Sequence, residues 1–276
     1  MSEKIREANR SARERLQQER EAHQSREKRK RVLIVSGVVA GVLAAAAGIG
    51  MIAAGIGKDK AADAAGPVLA PSGAQGKDEL AIPVGAPDAP STLTVWEDFR
   101  CPSCGLFESN YRSAIQGLEK AGQIKVEYHL ATIIDGNMSG SGSRHAANAA
   151  ACAQDVGKFA AYHDALYDNQ PQETDDAFAK DSRLLELADK VPGLKSAPGF
   201  SQCVQSGLHN EWVAKSADKF KTGGFSGTPT ILLNGESVLP QKGTENITPA
   251  NLKKWVMEAN KGKKPGTAPP ETAPVS

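Results

Sequence analysis

The sequence lacks a surplus of either charge, a zinc-type ligand cluster, an internal repeat, and any second long apolar run. Lys and Arg total 33 against 32 Asp and Glu in 276 residues, which excludes a strongly basic nucleic-acid binder. With 40% hydrophobic residues the chain is not wholly disordered. Its length, at about 150 residues per domain, allows one large or two small domains. One apolar run excludes a multi-span membrane protein. Four cysteines are too few for a small disulfide scaffold, so each needs its own explanation. The five histidines (His23, His129, His145, His163, His209) are scattered, with no CxxH or HxxxH pair and no second CxxC. Neither a metal nor a cofactor is expected.

The near-neutral balance hides an asymmetry. Residues 1–31 carry eleven Lys/Arg and six Asp/Glu, a net of +5; the other 22 Lys/Arg and 26 Asp/Glu give −4. Between them, Val32–Gly57 is 26 residues without charge, with Ser36 alone polar. A hydrocarbon core needs about 20 apolar residues as helix, so the run is long enough to span. A cleaved signal peptide has an apolar region of about 7–15 residues behind a short basic head, which fits less well. The Ala61–Ala65 stretch keeps cleavage open. The cluster Arg26, Lys28, Arg29, Lys30, Arg31 abuts the span. Positive-inside bias then gives this signal-anchor a cytoplasmic N-terminus and places everything after Gly57 outside. Cys101, Cys104, Cys152 and Cys203 would all lie where disulfides persist.

The boundaries follow: a basic cytoplasmic tail over 1–31, a transmembrane helix over 32–57, a flexible linker over 58–79, a folded domain over 80–261, and a disordered proline-rich tail over 262–276. The domain opens with strand signals at 93–96. Leu106, Phe107, Tyr111, Ile115 and Leu118 follow at helical spacing, and Lys125–Ile133 alternates as a second strand. Helical patterns then cover Ala146–Tyr167, Ala177–Lys190 and Trp212–Lys221. Asn234-Gly235 between two strand runs marks a tight hairpin. Thr248-Pro249 is an N-cap followed by proline at the first helical position.

Cys101-Pro102-Ser103-Cys104 falls at a strand-to-helix junction. A sulfur at a helix start faces unpaired backbone N–H groups and the positive end of the dipole. Both favour the thiolate, which is the reactive species. Cys104, one turn on, can close a ring with Cys101. The dipole contributes only about 0.3–1 kcal/mol, whereas lowering a thiol pKa from about 8.5 to about 3.5 takes roughly 7 kcal/mol. Direct hydrogen bonds from the amides of residues 103 and 104 are expected to do most of the rest. Half a zinc site and a purely structural link are the other readings of a lone CxxC. Cys152 and Cys203, with 50 residues between them, read as a structural staple or a second redox pair. Trp96, Trp212 and Trp255 read as core or groove residues. Phe99 and Phe107 near the pair read as core or as an apolar rim for substrates.

Trp96 to Cys104 (WEDFRCPSC) resembles the active-site segment of DsbA-like thiol–disulfide oxidoreductases of the thioredoxin superfamily. Gly227-Thr228-Pro229-Thr230 is similar to that superfamily's cis-proline loop. Gly157-Lys158-Phe159 and Tyr162–Tyr167 resemble the helical insertion of DsbA-like proteins. The resemblance covers about residues 80–260, and the anchored form with a second cysteine pair is most like actinobacterial members. It implies an α/β, thioredoxin-like fold with an inserted α-helical domain at about 140–222, preceded by one transmembrane helix. It makes Cys101 the nucleophile, Cys104 the resolving thiol, Pro229 the cis-proline beside the pair, and Thr228 a residue tuning Cys101. Pro102, Ser103 and Glu97 are supporting residues. Many relatives carry an acidic residue six positions before the first cysteine; here that position is Val95, with Glu97 two residues on. Ser103 stands where the strongest oxidants carry His.

The implied function is a membrane-tethered, extracytoplasmic enzyme that introduces disulfides into secreted proteins. Its partners would be unfolded or reduced secreted proteins, a quinone-linked membrane reoxidant of the DsbB or vitamin K epoxide reductase-like kind, and membrane lipid through the anchor, with no nucleic acid. A reductase or isomerase using the same pair, and a non-catalytic tethered interaction domain, are the alternatives.

Overall fold

The computed structural model describes residues 67–267. The tail over 1–31 and the expected span over 32–57 lie outside them. Among the described residues no helix is long and apolar enough to cross a membrane.

The strands are β1 (Ile82–Gly85), β2 (Ser91–Glu97), β3 (Ile124–Leu130), β4 (Thr230–Leu233) and β5 (Glu236–Ser237), with a small ribbon of β6 (Gln241–Lys242) and β7 (Glu245–Asn246). The helices are α1 (Pro102–Lys120), α2 (Ile133–Met138), α3 (Gly142–Asp155), α4 (Phe159–Asp168), α5 (Asp181–Ala188), α6 (Phe200–Ser206), α7 (Asn210–Thr222) and α8 (Pro249–Ala259). The main sheet runs β1-β3-β2-β4-β5. β2 and β3 are parallel, in register from Ser91–Ile124 to Glu97–Leu130, with α1 as their crossover. β4 lies antiparallel on the other side of β2. β3 alternates as its sequence requires, with Ile124, Val126, Tyr128 and Leu130 buried.

Helices α2 to α7 fill the interval between β3 and β4, so the expected α/β fold with a helical insertion is present. α3 explains its own composition: Ala146, Ala147, Ala149, Ala150, Ala151 and Ala153 are all buried. A helix apolar all round is one enclosed by others, and small side chains let its neighbours approach. α4 is fastened to α1, where Arg112 Nε lies 3.1 Å from Asp164 Oδ1 and Gln116 Nε2 donates to Asp164 Oδ2 at 2.9 Å. The hairpin forms at Asn234 (φ 52°) and Gly235 (φ 86°), both left-handed as a type I′ turn needs. Thr248 Oγ1 accepts from Asn251 N at 3.0 Å and caps α8.

Four local expectations are corrected. β1 had no strand signal beyond its four residues. Ile133 begins α2 rather than ending β3. Residues 69–79 were assigned to a flexible linker, yet Leu69 O accepts from His209 Nδ1 at 2.8 Å, Ser72 N donates to Asp155 Oδ1 at 2.7 Å, and Glu79 O accepts from Trp212 Nε1 at 2.7 Å. Residues 262–267 were assigned to the disordered tail, yet Gly266 N donates to Gly122 O at 2.8 Å and Thr267 N to Asp88 Oδ1 at 2.9 Å. In both segments distant side chains and backbone satisfy main-chain groups, which composition does not foretell.

Candidate active site

Cys101 is the N-cap of α1 with extended backbone (φ −73°, ψ 117°), and Pro102 opens the helix. The two thiols are free and buried, Cys101 6% and Cys104 1% exposed. Pro102 and Ser103 are exposed between them. The Thr228–Pro229 peptide is cis, and it brings Thr228 against the pair: Cys101 Sγ donates to Thr228 O at 3.4 Å. The buried Thr228 hydroxyl has no hydrogen-bond partner among the described residues.

These contacts separate the two thiols. The Cys101 pKa is pulled down to about 6, first by the Cys104 thiol donating to its sulfur. Burial opposes the shift; the Thr228 side chain and the amides of Cys104 and Ser103 add to it. The expectation that backbone amides dominate is therefore corrected: the neighbouring thiol ranks above them. Cys104 is pushed well above the usual thiol range, chiefly by burial and then by hydrogen-bonding to Cys101. Cys101 is the nucleophile-grade sulfur, and Cys104 the one that holds a proton.

A charged cluster lies in the core on the Cys104 side. Glu97, 1% exposed, accepts a hydrogen bond from His163 Nε2, 2% exposed, at 2.9 Å. Glu108 is buried beside them, and ligand atoms of the three lie within 4.8 Å of one another. Glu97 Oε2 and Glu108 Oε1 have no hydrogen-bond partner among the described residues. Burial works against a charged His163, but Glu97, Glu108 and Asp164 together outweigh it and hold its pKa well above the usual histidine value. Burial, tempered by His163, lifts Glu108 to about 7. The three residues are of metal-ligating types, and with the imidazole protonated the same arrangement can hold and pass protons. Sequence reasoning placed Glu97 but missed the others. Glu108 was legible as i+4 from Cys104 on one helix. His163, 66 residues from Glu97, carried no local signal.

Phe99 and Phe107 are 1% and 4% exposed, so they are core and not a rim. Leu106, 65% exposed, is the apolar side chain displayed on the first turns of α1. Trp212 and Trp255 are buried, and Trp96 stacks on His129 at 4.2 Å between ring centres.

Cys152 on α3 and Cys203 on α6 form a disulfide, with Cα atoms 5.9 Å apart. It closes a loop with a sequence separation of 51, worth about 4 kcal/mol in the chain-entropy model. Cys152→Ala is expected to lose stability of that order in denaturant unfolding while thiol exchange at Cys101 continues. Full stability with lost turnover would instead make the pair a redox shuttle.

A family model described as Thioredoxin matches residues 77–258. The chain is 32% identical over 158 residues to the serine/threonine-protein kinase PknE of Mycobacterium tuberculosis, covering 54% of this chain and 27% of that one. It thus spans about a quarter of that relative's length. It is 27% identical to the probable disulfide bond formation protein D of Bacillus cereus, over 57% of this chain and 71% of the relative. The solved structure of reduced DsbA from M. tuberculosis superposes with a TM-score of 0.57 at 26% identity, covering 68% of this chain and 95% of that one. With a CxxC pair at a helix start, a cis-proline against it and a helical insertion above it, this chain belongs to the thioredoxin family, in the neighbourhood of the DsbA-type disulfide oxidoreductases.

Proposed function

We propose that the protein is a thiol–disulfide oxidoreductase, tethered to the membrane by its 32–57 segment and working outside the cytoplasm as an oxidant of cysteine pairs in secreted proteins. The observation that carries this reading is the geometry of the pair: Cys101 caps the N-terminus of α1 with its Sγ 3.4 Å from Thr228 O beside the cis Pro229, and Cys104, 1% exposed, lies buried one helical turn on.

A substrate thiolate attacks Sγ of Cys101 in the Cys101–Cys104 disulfide. The S–S bond breaks, its electron pair passes to Cys104 Sγ, and that sulfur takes up a proton. Glu108, with its pKa near 7, and the protonated His163 are the buried reserves from which the proton is replenished. A second substrate thiolate then attacks the substrate sulfur of the mixed disulfide and releases Cys101 as its thiolate. The substrate is oxidised by two electrons and the pair reduced. A stabilised leaving thiolate makes the disulfide more oxidising. A quinone-linked membrane protein of the DsbB or vitamin K epoxide reductase-like kind would restore it. The basic cluster before the apolar run supports the topology, and a buried second disulfide is in keeping with an oxidising compartment.

The test is a redox titration of the full-length protein with alkylation and mass spectrometry at all four cysteines. Cys101 is expected to alkylate with a midpoint near pH 6, while Cys152 and Cys203 stay joined under mild reduction. Ser103 carries no charge toward the thiolate, so the potential should fall between roughly −270 and −120 mV, the values of thioredoxin and a strong DsbA. Ser103→His should lower the Cys101 pKa and raise the potential together. A more reducing potential favours the reductase or isomerase reading, and a Cys101 inert to alkylation favours the non-catalytic one.

A further inference from the structure

The loop that delivers Cys101 is held by the insertion as well as by its own strand and helix. Arg100, 1% exposed, sets Nη1 2.8 Å from both Asp135 Oδ1 and Asp176 Oδ1, and Nη2 donates to Glu173 O at 3.0 Å. On either side of Arg100, the carbonyls of Phe99 and Cys101 both accept from a single amide, Gln170 Nε2, each at 2.9 Å. Gln170 lies two residues beyond the end of α4 and is half-buried. The Cys101 carbonyl also accepts from the Cys104 and Gly105 amides of α1. For the Phe99 carbonyl, the Gln170 amide is the partner found within the described residues.

A second observation makes the contact a built one. Gly105 sits inside the first turn of α1, where alanine would normally be the better helix former. A Cβ there would overlap the Gln170 side-chain oxygen and come within 3.0 Å of its Cδ. Glycine at 105 is what lets the amide reach the two carbonyls.

We infer that Gln170 is a positioning residue for thiol exchange: by gripping the peptide on both sides of Arg100 it holds Cys101 at the N-terminus of α1 with Sγ against Thr228. The inference rests on the exchange reading above and adds to it a direct bond from the insertion to the nucleophile's own peptide. The donors that stabilise the thiolate act over hydrogen-bond distances, so a small rotation of the Cys101 peptide weakens several at once. Loosening the grip therefore raises the Cys101 pKa and makes the disulfide less oxidising.

The experiment measures the Cys101 pKa by thiolate absorbance, the reduction potential, and thermal stability, on the full-length protein and four variants. Gln170→Met keeps the bulk and removes both donors; alkylation at pH 5, below the thiol's pKa, should slow roughly fivefold, the factor a typical net hydrogen bond carries, with a lower potential. Gly105→Ala leaves Gln170 in place but displaces its amide, and should shift pKa and potential in the same direction. In Gln170→Ala there is no amide to strike, so adding Gly105→Ala should leave the pKa where Gln170→Ala alone puts it. If pKa and potential stay at their wild-type values in both Gln170→Met and Gly105→Ala, whatever happens to thermal stability, Gln170 is structural only and the inference falls. If Gly105→Ala acts equally with and without the glutamine, the coupling is absent and the inference also falls. An ordinary thiol pKa for Cys101 in the wild-type protein would overturn the exchange reading itself, and the positioning role with it.

Discussion

Cys104→Ala is expected to stop turnover, leave Cys101 covalently joined to substrate cysteines, and raise the Cys101 pKa. Three consequences follow from one side chain. Without Cys104 no thiol stands one helical turn away to resolve the mixed disulfide, so such adducts accumulate. The Cys104 thiol is also the first of the groups holding Cys101 near pH 6. A hydrogen bond to a charged group is worth about 1.5–3 kcal/mol, so its loss should raise the Cys101 pKa by about 1–2 pH units. Cys104→Ser removes the resolving sulfur but keeps an O–H donor, so it should lose turnover as fully while holding much of the low pKa. Thiolate absorbance against pH, with non-reducing gels for the adducts, separates the two roles. An equal pKa rise in both variants would show that burial geometry, and not donation, sets the value.

His163→Leu should cost about 3–5 kcal/mol of stability near neutral pH, the cost of breaking a buried ion pair by deleting one partner. It strands Glu97 and Glu108, each 1% exposed, without their buried cation. The pH dependence follows from the directions of the shifts. In the wild-type protein the raised His163 pKa contributes stability that is complete below about 6.5, its unfolded value, and fades as pH rises through the higher folded value. In the variant the stranded Glu108 holds its proton more tightly folded than unfolded. Stability is then retained near pH 4.5 and lost as pH rises through its folded value, already about 7 in the wild type. The deficit should be smallest near pH 5 and largest between pH 7 and 8. Urea unfolding at both ends measures it; an equal loss at each would assign the effect to lost packing against Phe99, Tyr128 and Phe159, whose rings surround the imidazole.

The readable features were those written within a few consecutive residues. Cys101 to Cys104 at a strand-to-helix junction, Asn234-Gly235 between two apolar runs, Thr248-Pro249 before a helix, and the alternation of β3 each encode a backbone conformation in the residues that adopt it. The Thr228-Pro229 loop became legible through resemblance, since nothing in a lone proline states which isomer it takes. By itself, then, the sequence determined most of the elements and their order, though not β1 or the β6–β7 ribbon, together with the reactive pair and its place at a helix start. Tertiary structure alone decided what surrounds that pair. His163 reaches Glu97 across 66 positions, Gln170 reaches Phe99 across 71, and Asp135 reaches Arg100 across 35. The same holds for the segments at 69–79 and 262–267, whose small and polar residues read as linker and tail until distant partners satisfied their backbone. A buried charged residue and a solvated one look alike in a chain, because what distinguishes them is a partner brought by folding. The local code specifies conformation, whereas pKa and the aim of a nucleophile depend on the low-dielectric neighbourhood that only the assembled insertion and sheet create.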